Sequence, residues 1–274
     1  MKGRGISAVA LLLALPRPCG AHGDLHEQIE AASKRIANDP GDARLYLKRG
    51  ELRRIHEEYA AALGDLKRAR DLDPRLSAVD LALGKLWLQA GNAETARVEL
   101  DRFLAKDPDH PDARLHRARA LVKVGERRAA VEDYTRALAK HPEPRPEHYI
   151  ERAQALAAEG PARFDEAIRG IDEGLKRLGP GVTLRLQAVE LEVAAKRFDA
   201  ALARLDEARR GAARPETWLV RRAEILKQAG RAKEAREAFS AALAAIESLP
   251  ATRRQTRSTA ELERRVRAAL ENSP

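Results

Sequence analysis

Asp73-Pro74, Asp107-Pro108 and His141-Pro142 stand 34 residues apart, and each closes a segment with helical patterning. A fixed period near 34 with a terminal Pro is the mark of stacked helical hairpins. One such hairpin cannot bury its own apolar face, so neighbours must stack, and the product is a solenoid with an extended surface. Composition agrees. The chain has 274 residues, 34% of them charged and only 4% aromatic. It is rich in Ala, Leu, Arg and Glu, side chains that lose little rotamer freedom in a helix. With 44% hydrophobic residues it can form a core and does not read as disordered.

Within each period the same positions recur. Repeat one, Ala43 to Leu76, has Tyr46, Gly50, Tyr59, Ala62, Leu66, Ala69 and Pro74. Repeat two, Ser77 to His110, has Leu83-Gly84, Trp87, Gly91, Ala96, Leu100 and Pro108. Repeat three, Pro111 to Pro144, has Ala118, Leu121, Gly125, Ala130, Tyr134, Ala137 and Pro142. This arrangement resembles the tetratricopeptide repeat (TPR). The resemblance runs from about Ala43 to Leu249 and implies an all-α, right-handed superhelical solenoid of stacked antiparallel helix pairs. Later repeats drift. Repeat four, from Pro146, carries Pro161-Ala162 as a two-residue insertion in its inter-helix turn. Repeat five, from about Gly181, has Leu184, Ala188, Leu191, Phe198, Leu205 and Ala208, with a register open by one residue. Repeat six, from Glu216, ends near Leu249-Pro250.

Small residues at the eighth and twentieth positions let the two helix backbones approach. Gly91, Gly125, Gly160 and Gly230 suit the left-handed conformation that ends a first helix. Outside the repeats, residues 24–42 hold an extra N-terminal helix with Leu25, Ile29, Ala32 and Ile36 in a stripe. Residues 250–274 hold a C-terminal capping helix, in which Leu262, Val266 and Leu270 recur every four residues. The pattern predicts about fourteen helices in all: one extra, six pairs and a cap.

Residues 1–23 read as a signal peptide. Lys2 and Arg4 precede ten uncharged residues, Ile6 to Leu15, and small residues follow Pro16-Arg17-Pro18. Ten residues span about 15 Å as helix, half of a ~30 Å hydrocarbon core, so no transmembrane helix is expected in the mature chain. Cleavage after Ala21 or Gly23 fits, and export to the periplasm or another extracytoplasmic space is expected. Cys19 is the one cysteine, and Leu15-Pro16-Arg17-Pro18 matches a lipoprotein signal poorly, so anchoring there is not expected.

No catalytic constellation is present. His26-Glu27 and His56-Glu57 open like HExxH, but Glu30 and Ala60 stand where the second His is required. No cofactor is implied. The net charge of +9 comes without a Lys/Arg tract interleaved with aromatics, so nucleic acid is not an expected partner. The resemblance implies instead a non-catalytic scaffold or assembly factor that binds a protein or peptide, with a membrane-anchored assembly factor as one alternative. Another is a metal-binding exported protein: His22 and His26 are four apart, and imidazole suits Cu, Ni or Zn.

In this family the concave groove is lined by first-helix positions two, five, nine and twelve. In repeat one these are Arg44, Leu47, Glu51 and Arg54; in repeat two Ala78, Leu81, Lys85 and Leu88; in repeat three Asp112, Leu115, Arg119 and Val122, with Lys123 beside them. The Lys/Asn pattern by which some relatives clamp a C-terminal carboxylate is absent. A mixed apolar and basic groove suits a peptide with acidic and aliphatic side chains. A second set, Arg49, Arg117, Arg152 and Arg222, recurs at position seven. These are read as interhelical arginines paired with a neighbouring Asp or Glu while their stems pack.

Overall fold

The computed structural model describes residues 19–209 and 214–271. The expected leader falls on residues 1–23, of which 1–18 lie outside the described residues. Among the described residues the regular structure is helical, and the chain divides into two compact units, residues 1–103 and 104–274. The first unit holds α1 (Cys19–Asn38), α2 (Ala43–Ile55), α3 (Tyr59–Leu72), α4 (Ala78–Gln89) and most of α5 (Ala93–Lys106). The second holds α6 (Pro111–Val124), α7 (Arg127–Lys140), α8 (Pro146–Ala157), α9 (Phe164–Leu178), α10 (Val182–Ala194), α11 (Phe198–Arg209), α12 (Pro215–Gln228), α13 (Ala232–Glu247), α14 (Ala251–Arg254) and α15 (Arg257–Glu271). The fourteen expected helices are present. The addition is α14, a single turn ahead of the cap.

Local chemistry sets the helix ends. The Asp42 carboxylate accepts from the Arg44 backbone N–H at 2.8 Å, satisfying one orphan donor of α2. At α6 the His110 ring Nδ1 accepts from Ala113 N–H at 3.2 Å, and Pro111 occupies the first turn, where its missing N–H costs nothing. Gly125, at φ 90°, ends α6 in the left-handed region. The second helices α3 and α7 stop at Asp73 and His141, both extended, each just before its Pro.

The small positions do what close approach demands. A Cβ on Gly84 would lie 2.5 Å from Leu100 Cγ, and one on Gly50 2.9 Å from Leu66. Ala62, Ala96, Ala118, Ala130, Ala153, Ala167 and Ala223 are all fully buried at equivalent sites. Around them each unit builds its own core, centred on Leu66, Leu83 and Leu86 in the first and on Leu121, Tyr134, Leu138, Tyr149 and Ile171 in the first half of the second. At the C-terminal end, Val266 of α15 is fully buried against a cluster with Phe239, Ala242 and Ile246, so the cap covers the last repeat.

Backbone hydrogen bonds resolve the register of repeat five. In repeats one, two, three and six the first helix closes with a bond from the sixteenth residue to the eleventh: Glu58 to Arg53, Asn92 to Trp87, Glu126 to Leu121 and Arg231 to Leu226. The corresponding bond in repeat five joins Arg197 to Glu192, at 2.8 Å. Repeat five therefore begins at Val182, one residue after the expected start, and Val189 rather than Ala188 takes the eighth position. The insertion in repeat four is absorbed as a 3-10 turn, Pro161–Arg163, ahead of α9.

The corrected register makes Lys196 the counterpart of Gly91, Gly125 and Gly230. It adopts φ 58°, and Glu57 of repeat one adopts φ 68°, where the others are glycines. It also explains the interior charges. Position 23 carries a buried acid in repeats one to three, namely Asp65, Glu99 and Asp133. Arg49 grips Asp65 through Nε and Nη2 at 2.9 and 2.7 Å, and Arg117 grips Asp133 in the same way at 2.6 and 2.8 Å. In repeat four the position is Gly170, and Arg152 turns to the Gly170 carbonyl and to Glu173, at 3.3 and 2.6 Å. In repeat five the signs reverse: Arg204 stands at position 23 and donates to Glu192 at 3.1 Å and bidentately to Asp172. Arg222 reaches back to Asp206 at 2.9 Å. The position-seven arginines thus brace helices and do not form a free basic ladder.

Candidate partner-binding surfaces

In the first unit the expected groove residues lie on α2 and α4. Arg44 is exposed, while Leu47, Glu51, Arg54, Lys85 and Leu88 are half-buried. Leu47 packs on the core cluster around Leu83, together with Trp87. Arg54 Nη1 donates to Gln89 Oε1 at 2.7 Å, tying α2 to α4 along this face. Arg44 and Lys85 have no side-chain partner among the described residues. The face therefore carries two half-buried leucines, Leu47 on α2 and Leu88 on α4, and two available cations, a surface that can accept aliphatic and acidic side chains.

In the second unit the expected residues are Arg119, Val122 and Lys123 on α6. Val122, at 36% exposed, and Lys123 face solvent. Arg119 Nε donates to both Glu151 oxygens of α8 at 3.1 and 3.0 Å, so its charge is already engaged. Leu115, expected in the groove, is 2% exposed and belongs to the core, because its flank is covered by the adjoining helices of the cluster. Successive first helices continue this cross-linking. Arg221 of α12 donates to Glu190 of α10 at 2.5 Å, and Arg265 of α15 to Glu224 of α12 at 2.7 Å.

One buried titratable group sits beside this surface. His148 of α8 is 2% exposed, and its Nδ1 accepts from Arg145 N–H at 3.3 Å. Burial, then the nearby Arg119, His141 and Arg145, pushes its pKa down to about 4, and Glu147 opposes this weakly. His26 is exposed and lies 3.2 Å from Glu30. Its expected metal partner, His22, lies within α1, but its side chain falls outside the described residues, as does the Cys19 side chain. Among the described residues no group of three His, Cys, Asp or Glu is arranged to hold a metal, and no helix is long and apolar enough to cross a membrane.

The balance of charge along the chain shifts the electrostatic emphasis. Residues 24–208 carry 33 Lys and Arg against 34 Asp and Glu, whereas residues 209–274 carry 15 against 8. The positive excess beyond residue 23 therefore belongs to the C-terminal quarter and not to repeats one to three.

Family profiles described as tetratricopeptide repeat match residues 55–122, 115–182 and 186–250. The chain belongs to the tetratricopeptide-repeat family. Solved structures of similar fold include a tetratricopeptide repeat protein from Parabacteroides merdae ATCC 43184, at 16% identity and TM-score 0.57, with 90% of this chain and 94% of that one covered. YrrB, described as a TPR protein with an unusual peptide-binding site, aligns at 21% identity and TM-score 0.56 over 66% of this chain and 92% of its own. Pseudomonas aeruginosa pilF aligns at 15% identity and TM-score 0.56 over 85% and 99%. No curated protein matches the chain. At these identities the neighbours establish the fold. Membership in the tetratricopeptide-repeat family places the chain among protein-interaction scaffolds.

Proposed function

We propose that this tetratricopeptide-repeat chain is an exported, non-catalytic scaffold that holds a protein or peptide segment on the face of α2 and α4. The observation that carries this reading is that α2 and α4 present two half-buried leucines, Leu47 and Leu88, together with Arg44 and Lys85, two cations without a side-chain partner among the described residues. A segment with an acidic residue beside an aliphatic one would bury its side chain against the leucines and meet opposite charge at the rim. The peptide-binding site of YrrB, a protein of the same fold, supports the class of ligand. Glu51 on the same face disfavours a uniformly acidic partner. In the second unit, considered by itself, a partner that sought Arg119 would first have to compete with Glu151.

Export rests on residues 1–23, with their Lys2, Arg4 and apolar run. N-terminal sequencing of the protein from envelope and cytoplasmic fractions tests it. A start at His22 or Asp24 in the envelope supports it, and an intact Met1 in the cytoplasm overturns it. For the binding face, wild type and the Arg44→Glu/Lys85→Glu variant are compared for retention of partners. Loss of a partner by this variant, with retention by Lys67→Glu on the exposed side of α3, supports the face. Equal retention by all three overturns it.

A further inference from the structure

The corners between successive repeats change character toward the C-terminus. Repeats one to three close with Asp73-Pro74, Asp107-Pro108 and His141-Pro142, a polar residue before each Pro. Repeat four closes with Leu178-Gly179-Pro180 and repeat six with Leu249-Pro250. Charge changes with them. Residues 176–185, 207–216 and 249–257 carry nine Lys and Arg against two Glu, whereas the whole chain beyond residue 23 carries 48 against 42. The positive excess therefore resides in these three corners.

The corners share one edge of the second unit. Antiparallel pairing sets the end of each second helix beside the start of the next first helix. Arg177 of α9 donates to the Leu138 and His141 carbonyls at the end of α7, at 2.6 and 2.7 Å. Arg185 of α10 donates to the Glu207 carbonyl at the end of α11, at 3.3 Å. Arg214, Leu249 and Arg253 line one pocket of about 320 Å³, which joins the start of α12 to the exit of α13.

Little on this edge neutralises its cations. Arg177 and Arg185 donate to carbonyls, not carboxylates. Lys176, Arg209, Arg253 and Arg257 are exposed and have no side-chain partner among the described residues. Of the two acids, Glu216 is buried and already accepts from Arg214 at 2.9 Å, which leaves Glu207. Arg254 lies 3.7 Å from Glu263 of α15. Beside these charges Leu178 and Val182 are 37% and 52% exposed, on either side of Gly179-Pro180-Gly181.

We propose that this edge docks on an anionic lipid surface, its Arg and Lys side chains at the phosphate headgroups and Leu178 and Val182 entering the boundary between headgroups and acyl chains. Aliphatic side chains exposed beside unpaired cations match a surface that is anionic outside and apolar beneath. Binding there grows with both the apolar area buried and the cationic attraction. An acidic peptide would answer the cations alone. The three segments hold no aromatic residue on which a base could stack, which disfavours single-stranded nucleic acid. The edge lies apart in sequence from α2 and α4, so its failure would leave that face untouched.

A site-specific fluorescent label tests this. Val182→Cys and, at the opposite end of the helix pairs, Arg127→Cys are each made in a Cys19→Ser full chain and labelled with a solvatochromic dye; both positions are exposed. Each is mixed with vesicles of phosphatidylcholine, with or without phosphatidylglycerol. Emission from position 182 should shift to the blue with the anionic vesicles only, and added salt should reverse the shift. Emission from position 127 should not move. Arg253→Glu with Arg257→Glu should raise the lipid concentration needed for the shift at position 182 by roughly tenfold or more. The circular-dichroism spectrum should not change, since both arginines are exposed. Absence of a shift at position 182 with anionic vesicles overturns the proposal, as does an equal shift at both positions or an equal response to neutral vesicles. So does an unchanged lipid requirement in the double variant. A shift with poly-L-glutamate but none with vesicles also overturns it, and would assign the edge to an acidic protein.

Discussion

Asp133 concentrates more of the fold's electrostatics than any residue name or motif would suggest. It is 3% exposed and accepts three hydrogen bonds from two arginines of α6: Arg114 Nη1 at 2.6 Å, Arg117 Nε at 2.6 Å and Arg117 Nη2 at 2.8 Å. Asp133→Ala removes every one of them. Arg117 has a partly exposed side chain and can turn toward water, but Arg114 is 6% exposed and would be left as a buried charge beside a cavity. Breaking such a pair by deleting one partner costs about 3–5 kcal/mol, a large part of the ~5–15 kcal/mol that stabilises a typical domain. The expected fall in melting midpoint is roughly 10 °C. Thermal and urea denaturation followed by circular dichroism at 222 nm read it. Asp133→Asn should cost nearly as much, since it keeps the shape and removes the charge. Asp109→Ala breaks the exposed pair with Lys140 and should barely move the midpoint. A loss under about 1 kcal/mol for Asp133→Ala would refute the reasoning, because the arginines would then be regaining water at no cost.

Three further outcomes are expected. Ala130→Leu should destabilise by roughly 1–3 kcal/mol through overpacking, because Ala130 is fully buried, whereas Ala129→Leu, on the exposed side of the same turn, should leave the melting midpoint unchanged. Lys196→Gly should stabilise by about 1 kcal/mol, since a side chain at φ 58° strains a conformation that Gly adopts freely; an unchanged or lower urea midpoint would contradict this. His148 is neutral when folded down to about pH 4, while the unfolded chain takes up its proton near pH 6.5, so its contribution is intact above pH 6.5 and lost as pH falls toward 4. The loss amounts to up to ~3 kcal/mol, and His148→Gln should flatten urea midpoints across that window.

The sequence made the repeat frame legible because Asp-Pro terminators and small residues recur at sites where helix backbones touch. Gly84 against Leu100 and the buried Ala118 and Ala130 stand where the period put them. Pairing of Arg49, Arg117, Arg152 and Arg222 was also legible, since an Arg on a packing face needs an acid within reach. Repeat five was not, because α10 carries two competing stripes. Leu184, Ala188 and Leu191 look as repeat-like as the residues one position later, and only the Arg197 to Glu192 bond separates them. Leu115 and Arg119 were placed in the groove by position alone. Position does not reveal that neighbouring helices cover one and that Glu151 engages the other. The C-terminal pocket escaped the sequence entirely, since Arg214-Pro215-Glu216 and Arg253 to Thr259 form no motif and meet only through the extra turn α14.

The central claim is that partners dock on the first-helix face. Site-specific photo-crosslinking tests it most directly. A photoreactive aromatic residue is placed at Leu88 of α4, half-buried on the proposed face, and separately at Val98 of α5, an aliphatic residue 41% exposed on a second helix. Neither substitution disturbs a fully buried position. Covalent capture of the same partner from position 88, and not from position 98, is the predicted result. Capture from position 98 with none from position 88 would contradict the account and move the binding surface to the second helices.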